Sequence, residues 1–268
     1  MPSVPNPITV PKLRDMKRSG DKIAVVTAYD ASFAAAADAA GIDAILVGDS
    51  LGMVVQGQSS TLPVTVDQVV YHTSAAARGV GRSLLIADMP FLSARDVPTA
   101  LATARRLMGE GGAAMVKLEG SGWASDVIRA LAERDVPVCA HLGLTPQSVY
   151  KLGGFRVQGR EETAAAQLRE AAREVEAAGA DLLVLECVPA ALAAEITRDL
   201  SIPTIGIGAG VDCDGQVLVM YDLIGLSRGR RPRFVKDFLA GRDSIEGALR
   251  AYVDDVRARV FPAAEHSY

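Results

Sequence analysis

Eight short, almost continuously apolar runs, mostly separated by helical segments, constrain this chain more than any other feature. They cover Ile23 to Ala28, Asp43 to Gly48, Leu84 to Ala87, Ala113 to Gly120, Val136 to Ala140, Leu182 to Leu185, Pro203 to Ile207 and Gln216 to Met220. Runs this short and this apolar read as strands of a parallel sheet covered on both faces. Eight such units in about 250 residues is the arithmetic of a (β/α)8 barrel. A doubly wound open sheet is the competing α/β architecture. Nothing breaks the pattern in the way a second domain would, so residues 1–268 read as a single barrel domain, with a short N-terminal capping helix and C-terminal helices.

The helices announce themselves by their caps. Thr9-Val10-Pro11 opens a helix over Lys12 to Arg18, expected as a lid on the bottom of the fold. Asp30 caps an alanine-rich helix that Gly41 ends, and Thr65-Val66-Asp67-Gln68 is a capping box. Ser93 to Asp96 starts the next helix, and Ser125 is expected to cap one that runs to Arg134. Further helices are expected over Glu161 to Ala178, after Pro189 at N1, around Phe234 to Ala240, and from Ser244 to Val260. The apolar spacing of the last would suit packing on a neighbouring subunit. Leu51 to Pro63 and Leu142 to Arg160 are long loops, placed to shield a site from water.

Composition narrows the function classes. The chain has 268 residues, 49% of them hydrophobic and 22% charged, as a globular protein does. Its net charge of −4 gives no basic footprint for nucleic acid. No apolar run is long enough to cross a bilayer, and the proline-rich Met1 to Pro7 does not read as a signal peptide. Cys139, Cys187 and Cys213 lie too far apart for a disulfide framework or a CxxC metal pair, so a reducing cytoplasm is expected. Cys139 and Cys187 read as packing residues.

The chemistry lies where the strands end. In a (β/α)8 barrel the active site is at the C-terminal ends of the strands. Those of the second to sixth are Asp49, Asp88, Lys117 with Glu119, His141 and Glu186. Alternation places Met115, Lys117 and Glu119 on one face of their strand. On the same rule Asp49 is aligned with Val47 and Ile45, Asp88 with Ile86 and Leu84, and Glu186 with Val184 and Leu182. A single Asp after a strand is commonly a cap or turn former; five strand ends converging on one mouth ask for more. Crowded carboxylates at Asp49, Asp88 and Glu119 would raise one another's pKa, which a hard divalent cation relieves, and oxygen ligands favour Mg²⁺ over zinc. Lys117 would suit an anionic substrate group; a plain salt bridge to Glu119 or another carboxylate is the structural alternative. A Schiff-base role ranks low beside so many carboxylates. Glu186, ending an apolar run, suits a general base with a raised pKa, or an anchor behind the site. His141 is a possible accessory that bonds substrate, donates a proton or orients Glu186, and equally a structural histidine.

Gly206-Ile207-Gly208-Ala209-Gly210 is GxGxG rather than GxGxxG, so a dinucleotide reading is weak; missing side chains there let a ligand or backbone come close. Tyr71 and His72 read as packing or interface residues. Arg228-Gly229-Arg230-Arg231 reads as a solvated loop.

These residues resemble the ketopantoate hydroxymethyltransferase family. The resemblance is carried by Val47-Gly48-Asp49-Ser50-Leu51-Gly52-Met53-Val54, Ser60-Thr61-Leu62-Pro63-Val64-Thr65, Asp88-Met89-Pro90-Phe91 and Val116-Lys117-Leu118-Glu119-Gly120. It continues through His141-Leu142-Gly143-Leu144-Thr145-Pro146-Gln147-Ser148, Val157-Gln158-Gly159-Arg160, Leu185-Glu186-Cys187-Val188-Pro189 and Ile202 to Gly210, and spans Ile8 to Phe261. It implies a barrel of the phosphoenolpyruvate/pyruvate type, assembled as a homodecamer of two pentameric rings. It implies transfer of a one-carbon unit from 5,10-methylenetetrahydrofolate to 3-methyl-2-oxobutanoate, giving 2-dehydropantoate for pantothenate and coenzyme A. On the same ground the Mg²⁺ ligands fall on Asp49, Asp88 and Glu119, oxoacid contacts on Asp49, Ser50, Asp88 and Lys117, and the proton acceptor on Glu186. Two departures stand out: Ser59 where the family usually has Asp, and Tyr221 where it often has His or Gln. They bear on loop contacts or ring packing. Two other readings remain at this level. One is a metal-dependent carbon–carbon lyase acting on 2-oxo acids, which would need no folate; the other is a non-catalytic barrel.

Overall fold

Strand and helix mostly alternate from residue 23 onwards, the last two strands following each other with no helix between, and the computed structural model describes residues 6–227 and 231–268. The strands are β1 (Ile23–Thr27), β2 (Ala44–Val47), β3 (Leu84–Asp88), β4 (Met115–Glu119), β5 (Val138–Gly143), β6 (Leu182–Glu186), β7 (Thr204–Ile207) and β8 (Gly215–Leu218). Each pairs in parallel with the next, and β8 returns to β1, so the sheet closes in sequence order. The open-sheet alternative is thereby excluded. Closure removes both edges, so no strand is left with unpaired backbone groups.

The helices are α1 (Val10–Ser19), α2 (Ala31–Ala39), α3 (Leu51–Val54), α4 (Val66–Ala77), α5 (Val97–Gly109), α6 (Trp123–Ala132), α7 (Val149–Leu152), α8 (Glu162–Ala177), α9 (Ala190–Asp199), α10 (Met220–Leu223) and α11 (Ile245–Arg257). Asp30 accepts from the backbone N–H of Ser32 and Phe33, which starts α2. The Thr65–Gln68 capping box is present in both directions. Helix α1 crosses the N-terminal side of the barrel: Arg14 pairs with Asp181 just before β6, and Lys17 with Asp214 just before β8.

Four local expectations are corrected. Ser125 does not cap a helix: α6 begins two residues earlier, at Trp123, after Gly122 at a positive φ of 60°. Pro189 is the N-cap of α9 rather than its first residue. Phe234 to Ala240 is not helical; Asp237 accepts from the N–H groups of Leu239 and Ala240, a local turn that competes with helix formation. The apolar stripe of α11, with Ala248, Leu249, Tyr252 and Val253 buried, packs on β1 and α2 of its own barrel rather than being left for a neighbour. Tyr252 lies under the β1–β8 seam and shares its hydroxyl proton between the carbonyls of Val25 (2.9 Å) and Gln216 (2.8 Å).

Both long mouth loops contain short helices, α3 in the first, and a 3-10 turn (Pro146–Ser148) followed by α7 in the second. All three cysteines are buried free thiols. Among the described residues no helix is long and apolar enough to cross a membrane. Arg228 to Arg230 of the expected solvated loop lie outside the described residues; Arg231 is exposed and pairs with Asp237.

Candidate active site

The register between strands decides which side chains meet. Asp88 is paired with Lys117, Glu119 with His141, and Gly143 with Glu186. Register partners in a parallel sheet present their side chains to the same face. Around the closed barrel that face carries Asp88, Lys117, Glu119, His141 and Glu186 together.

Asp49 arrives differently from the alternation read along the chain. Leu46 is paired with Ile86, and Val47 with Ala87. The face shared with Asp88 therefore belongs to Ala44 and Leu46, not to Ile45 and Val47. Asp49 would be out of phase if β2 continued, but the strand ends at Val47 and the chain turns. Gly48 stands next to Asp88 without a side chain, 3.7 Å from Asp88 Oδ2 to where its Cβ would be. The turn then brings the Asp49 N–H to 3.3 Å from Asp88 Oδ2.

A run of contacts links all five strand ends. Lys117 Nζ donates to Asp88 Oδ2 at 2.7 Å and lies 3.8 Å from Glu119 Oε1. Asp88, rather than Glu119, is thus its main partner. His141 stands between two glutamates, Nδ1 3.3 Å from Glu119 Oε1 and Nε2 3.3 Å from Glu186 Oε2, as charge contacts rather than aligned hydrogen bonds. Gly143 allows β5 and β6 to approach here: its φ is +92°, and a Cβ would sit 2.3 Å from the Glu186 carbonyl oxygen.

Two contributors carry no signal in the strand-end pattern. Gln147, in the 3-10 turn, donates its backbone N–H to Glu119 Oε2 (3.0 Å) and its amide to Asp49 Oδ2 (2.9 Å) and the Met89 carbonyl (3.0 Å). It sits in the long loop after β5, where no periodicity singles it out. Tyr29, 2% exposed, places its hydroxyl 2.8 Å from Ser50 Oγ. A buried tyrosine hydroxyl needs a partner, which is the one available hint. His72 Nδ1 lies 2.8 Å from the Tyr29 carbonyl oxygen, and Tyr221 packs its ring 6.0 Å from those of Tyr29 and Phe33.

Charge is tightly constrained. Burial pushes the Asp49 carboxyl well above the ordinary aspartate range, and repulsion from Asp88 and Glu119 adds to it. Burial also raises Asp88, against the pull of Lys117. For Glu119 burial works upward too, but His141 and Lys117 outweigh it and the carboxyl is lowered. Lys117 is raised because Asp88, Glu119 and Asp49 overcome its desolvation. His141 is pushed up to about 9: burial and Lys117 oppose its charge, and Glu119 and Glu186 win.

Four carboxylates therefore face one ammonium and one imidazole. Two buried carboxylate oxygens, Asp88 Oδ1 and Glu119 Oε1, have no hydrogen-bond partner. An all-oxygen donor set with orphaned oxygens and surplus negative charge fits a hard divalent cation. Among the described residues no three His, Cys, Asp or Glu are gathered in metal-holding geometry; Lys117 and Gln147 donate to the oxygens of Asp88, Asp49 and Glu119.

The Gly206–Gly210 segment is packed by the chain itself. Gly208, at φ +62°, lies against Phe234 and Tyr268, and Gly210 against Ala190. Cys139 shares the interior face beside Lys117. Cys187 is buried, with φ +49°.

Comparison with known proteins follows the same lines. The family model described as ketopantoate hydroxymethyltransferase matches residues 7–264. The chain is 59% identical over 261 residues to 3-methyl-2-oxobutanoate hydroxymethyltransferase of Marinobacter nauticus, covering 97% of this chain and 98% of that protein. It is 56% identical to the protein so named in Paraburkholderia phymatum, covering 97% and 96%. Among solved structures it resembles a putative phosphonomutase from Burkholderia cenocepacia (TM-score 0.64, 17% identity, 79% of this chain and 91% of that one). It also resembles phosphonopyruvate hydrolase in complex with oxalate and Mg²⁺ (TM-score 0.60, 14% identity, 95% and 98%). At such identities these structures speak for the barrel fold alone.

Proposed function

The chain belongs to the ketopantoate hydroxymethyltransferase family, and from that premise we propose how its own residues perform the reaction. It is a hydroxymethyltransferase acting on 3-methyl-2-oxobutanoate. 5,10-Methylenetetrahydrofolate supplies the one-carbon unit, and the product is 2-dehydropantoate. The observation that carries this reading is the unbroken run of contacts from Asp49 through Asp88, Lys117, Glu119 and His141 to Glu186.

Asp49, Asp88 and Glu119 would hold Mg²⁺, which when bound supplies Lewis-acid polarisation of the 2-oxo acid. Lys117, kept protonated by its carboxylate neighbours, pairs with the substrate carboxylate and fixes its orientation. Asp49, Ser50 and Asp88 complete the oxoacid contacts, with Tyr29 holding the Ser50 hydroxyl. Glu186 takes the proton from C3, and the carbanionic carbon attacks the donor's methylene carbon as the bond from that carbon to one folate nitrogen breaks. Water then replaces the second folate nitrogen on the methylene carbon, so tetrahydrofolate leaves and the hydroxyl of 2-dehydropantoate comes from water. His141 keeps the Glu186 carboxylate turned into the mouth. The long loops over the mouth exclude water while the carbanion exists. The working unit is a single barrel domain over residues 1–268, set in a cytoplasmic homodecamer of two pentameric rings, following the family resemblance.

The direct test is C3–H exchange in deuterated solvent. Glu186→Gln should abolish exchange while 3-methyl-2-oxobutanoate still binds. Exchange at the normal rate in that variant would remove Glu186 as the base.

A further inference from the structure

An apolar hollow of about 270 Å³ opens beside the ends of β3 and β4, and its inner end reaches Glu119 and Gln147. Its walls include Phe91, Leu92, Trp123 and Arg95. We propose that this hollow seats the rings of the folate donor, with Arg95 placed for the carboxylates of its glutamate tail. The proposal rests on the reaction assigned above and names the part of the mouth that holds its second substrate.

Four observations carry it. Phe91, Leu92 and Trp123 are 42%, 58% and 56% exposed, large apolar surfaces left to water around one concavity. Such clustering marks a binding surface, where single exposed apolar residues do not. Trp123 lays its indole against Gly120, in van der Waals range at 3.5 Å from the Cβ position to the indole nitrogen, and the Gly120 φ of +113° is a conformation that L side chains rarely adopt. Leu92 adopts φ +60°, a left-handed conformation costly for a branched side chain and characteristic of ligand-contact loops. Finally, Arg95 is charge-complementary to a polyanionic tail. Among the described residues its guanidinium has one partner, Asp96, engaged through Nε at 3.2 Å.

The shape suits this occupant. The volume lies just below the usual range for small-molecule pockets, about 300–1,000 Å³, which fits flat rings inside and a charged tail outside. Aromatic walls stack on flat heterocycles. The inner end meets the oxoacid site, so a methylene carried on the pterin would face the carbanionic carbon. A second copy of the chain docked on these rings would close the mouth to both substrates, which makes self-association the weaker fit.

Trp123 is the chain's single tryptophan, so its emission reports on this hollow alone. Full-length protein with Mg²⁺ and 3-methyl-2-oxobutanoate should show saturable quenching by tetrahydrofolate. Phe91→Ala should weaken that titration, and Phe91→Ala and Trp123→Ala should each raise the KM for methylenetetrahydrofolate roughly tenfold. Arg95→Ala should penalise a triglutamate donor more than a monoglutamate. Folate-independent C3–H exchange, which needs the oxoacid site only, should keep its wild-type rate and KM in these variants, which also shows that they are folded. Unchanged folate KM in Phe91→Ala and Trp123→Ala overturns the proposal, and a changed sedimentation coefficient alongside it would assign the hollow to subunit contact. Loss of exchange in the variants also overturns it, by moving these side chains into the oxoacid site. Failure of the wild-type protein to exchange at all counts against the reaction assigned to Glu186, while the tetrahydrofolate titration still decides the hollow.

Discussion

His141 Nε2 lies 3.3 Å from Glu186 Oε2, and this contact joins the proposed base to the carboxylate cluster at the opposite side of the imidazole. Supports of this kind orient groups they do not replace. His141→Gln should therefore lower kcat for C3–H exchange by roughly 10–100-fold, in the range seen when a supporting partner is lost. The KM for the oxoacid should stay near wild type. A thermal melt that collapses with no change in kcat of the folded fraction would mark the histidine as structural only.

Lys117 holds the centre of the cluster through its 2.7 Å bond to Asp88, with both side chains almost fully buried. Removing one member of a buried pair leaves an uncompensated charge. Lys117→Met should cost about 3–5 kcal/mol in denaturant unfolding. Asp88→Ala and Asp49→Ala should each remove Mg²⁺ affinity, read by titration calorimetry. Wild-type affinity in both would mean that the cation binds elsewhere.

Tyr252 pins the closing seam of the barrel from outside, far from the chemistry. Tyr252→Phe deletes a hydroxyl shared by two buried carbonyls and should destabilise the protein by about 1–3 kcal/mol. The kcat at low temperature should be unaffected. Equal stability of the variant and the wild type would show that the seam does not depend on that hydroxyl.

Asp38 ties α2 to the start of β3. Burial works to raise its pKa, but the N–H groups of Ser83 and Arg82 and the Ser83 hydroxyl outweigh it and hold it low. A carboxyl depressed in the folded state adds stability that is present above its unfolded pKa and fades as pH falls through the folded one. The stability gap between wild type and Asp38→Asn should thus be largest near neutrality and close in acid. A gap that widened on acidification would reverse the assignment.

Strand alternation and capping are local, so they can be read one segment at a time. The eight apolar runs, the Thr65 box and the Asp30 cap all depend on neighbours within a few residues, and they appear in the fold, the runs with shifted ends: β5 continues to Gly143, and Met220, read as the end of the eighth strand, opens α10. Ser125 and the Phe234–Ala240 stretch misled for the same local reason: polar residues can cap or turn the chain, and short-range pattern does not say which.

Along the chain, Asp88, Lys117, Glu119, His141 and Glu186 could be named as the ionisable tips of consecutive strands. Their residue types already implied surplus negative charge and a hard cation. Which tips touch was settled by register and closure, which bring together residues from 22 (Glu119 and His141) to 45 (His141 and Glu186) positions apart. Asp49 belongs to the cluster through a turn that reverses its phase, and Gln147 through a loop that folds back over the mouth. Long-range pairing leaves no periodic trace because its energy is spent between segments rather than within one.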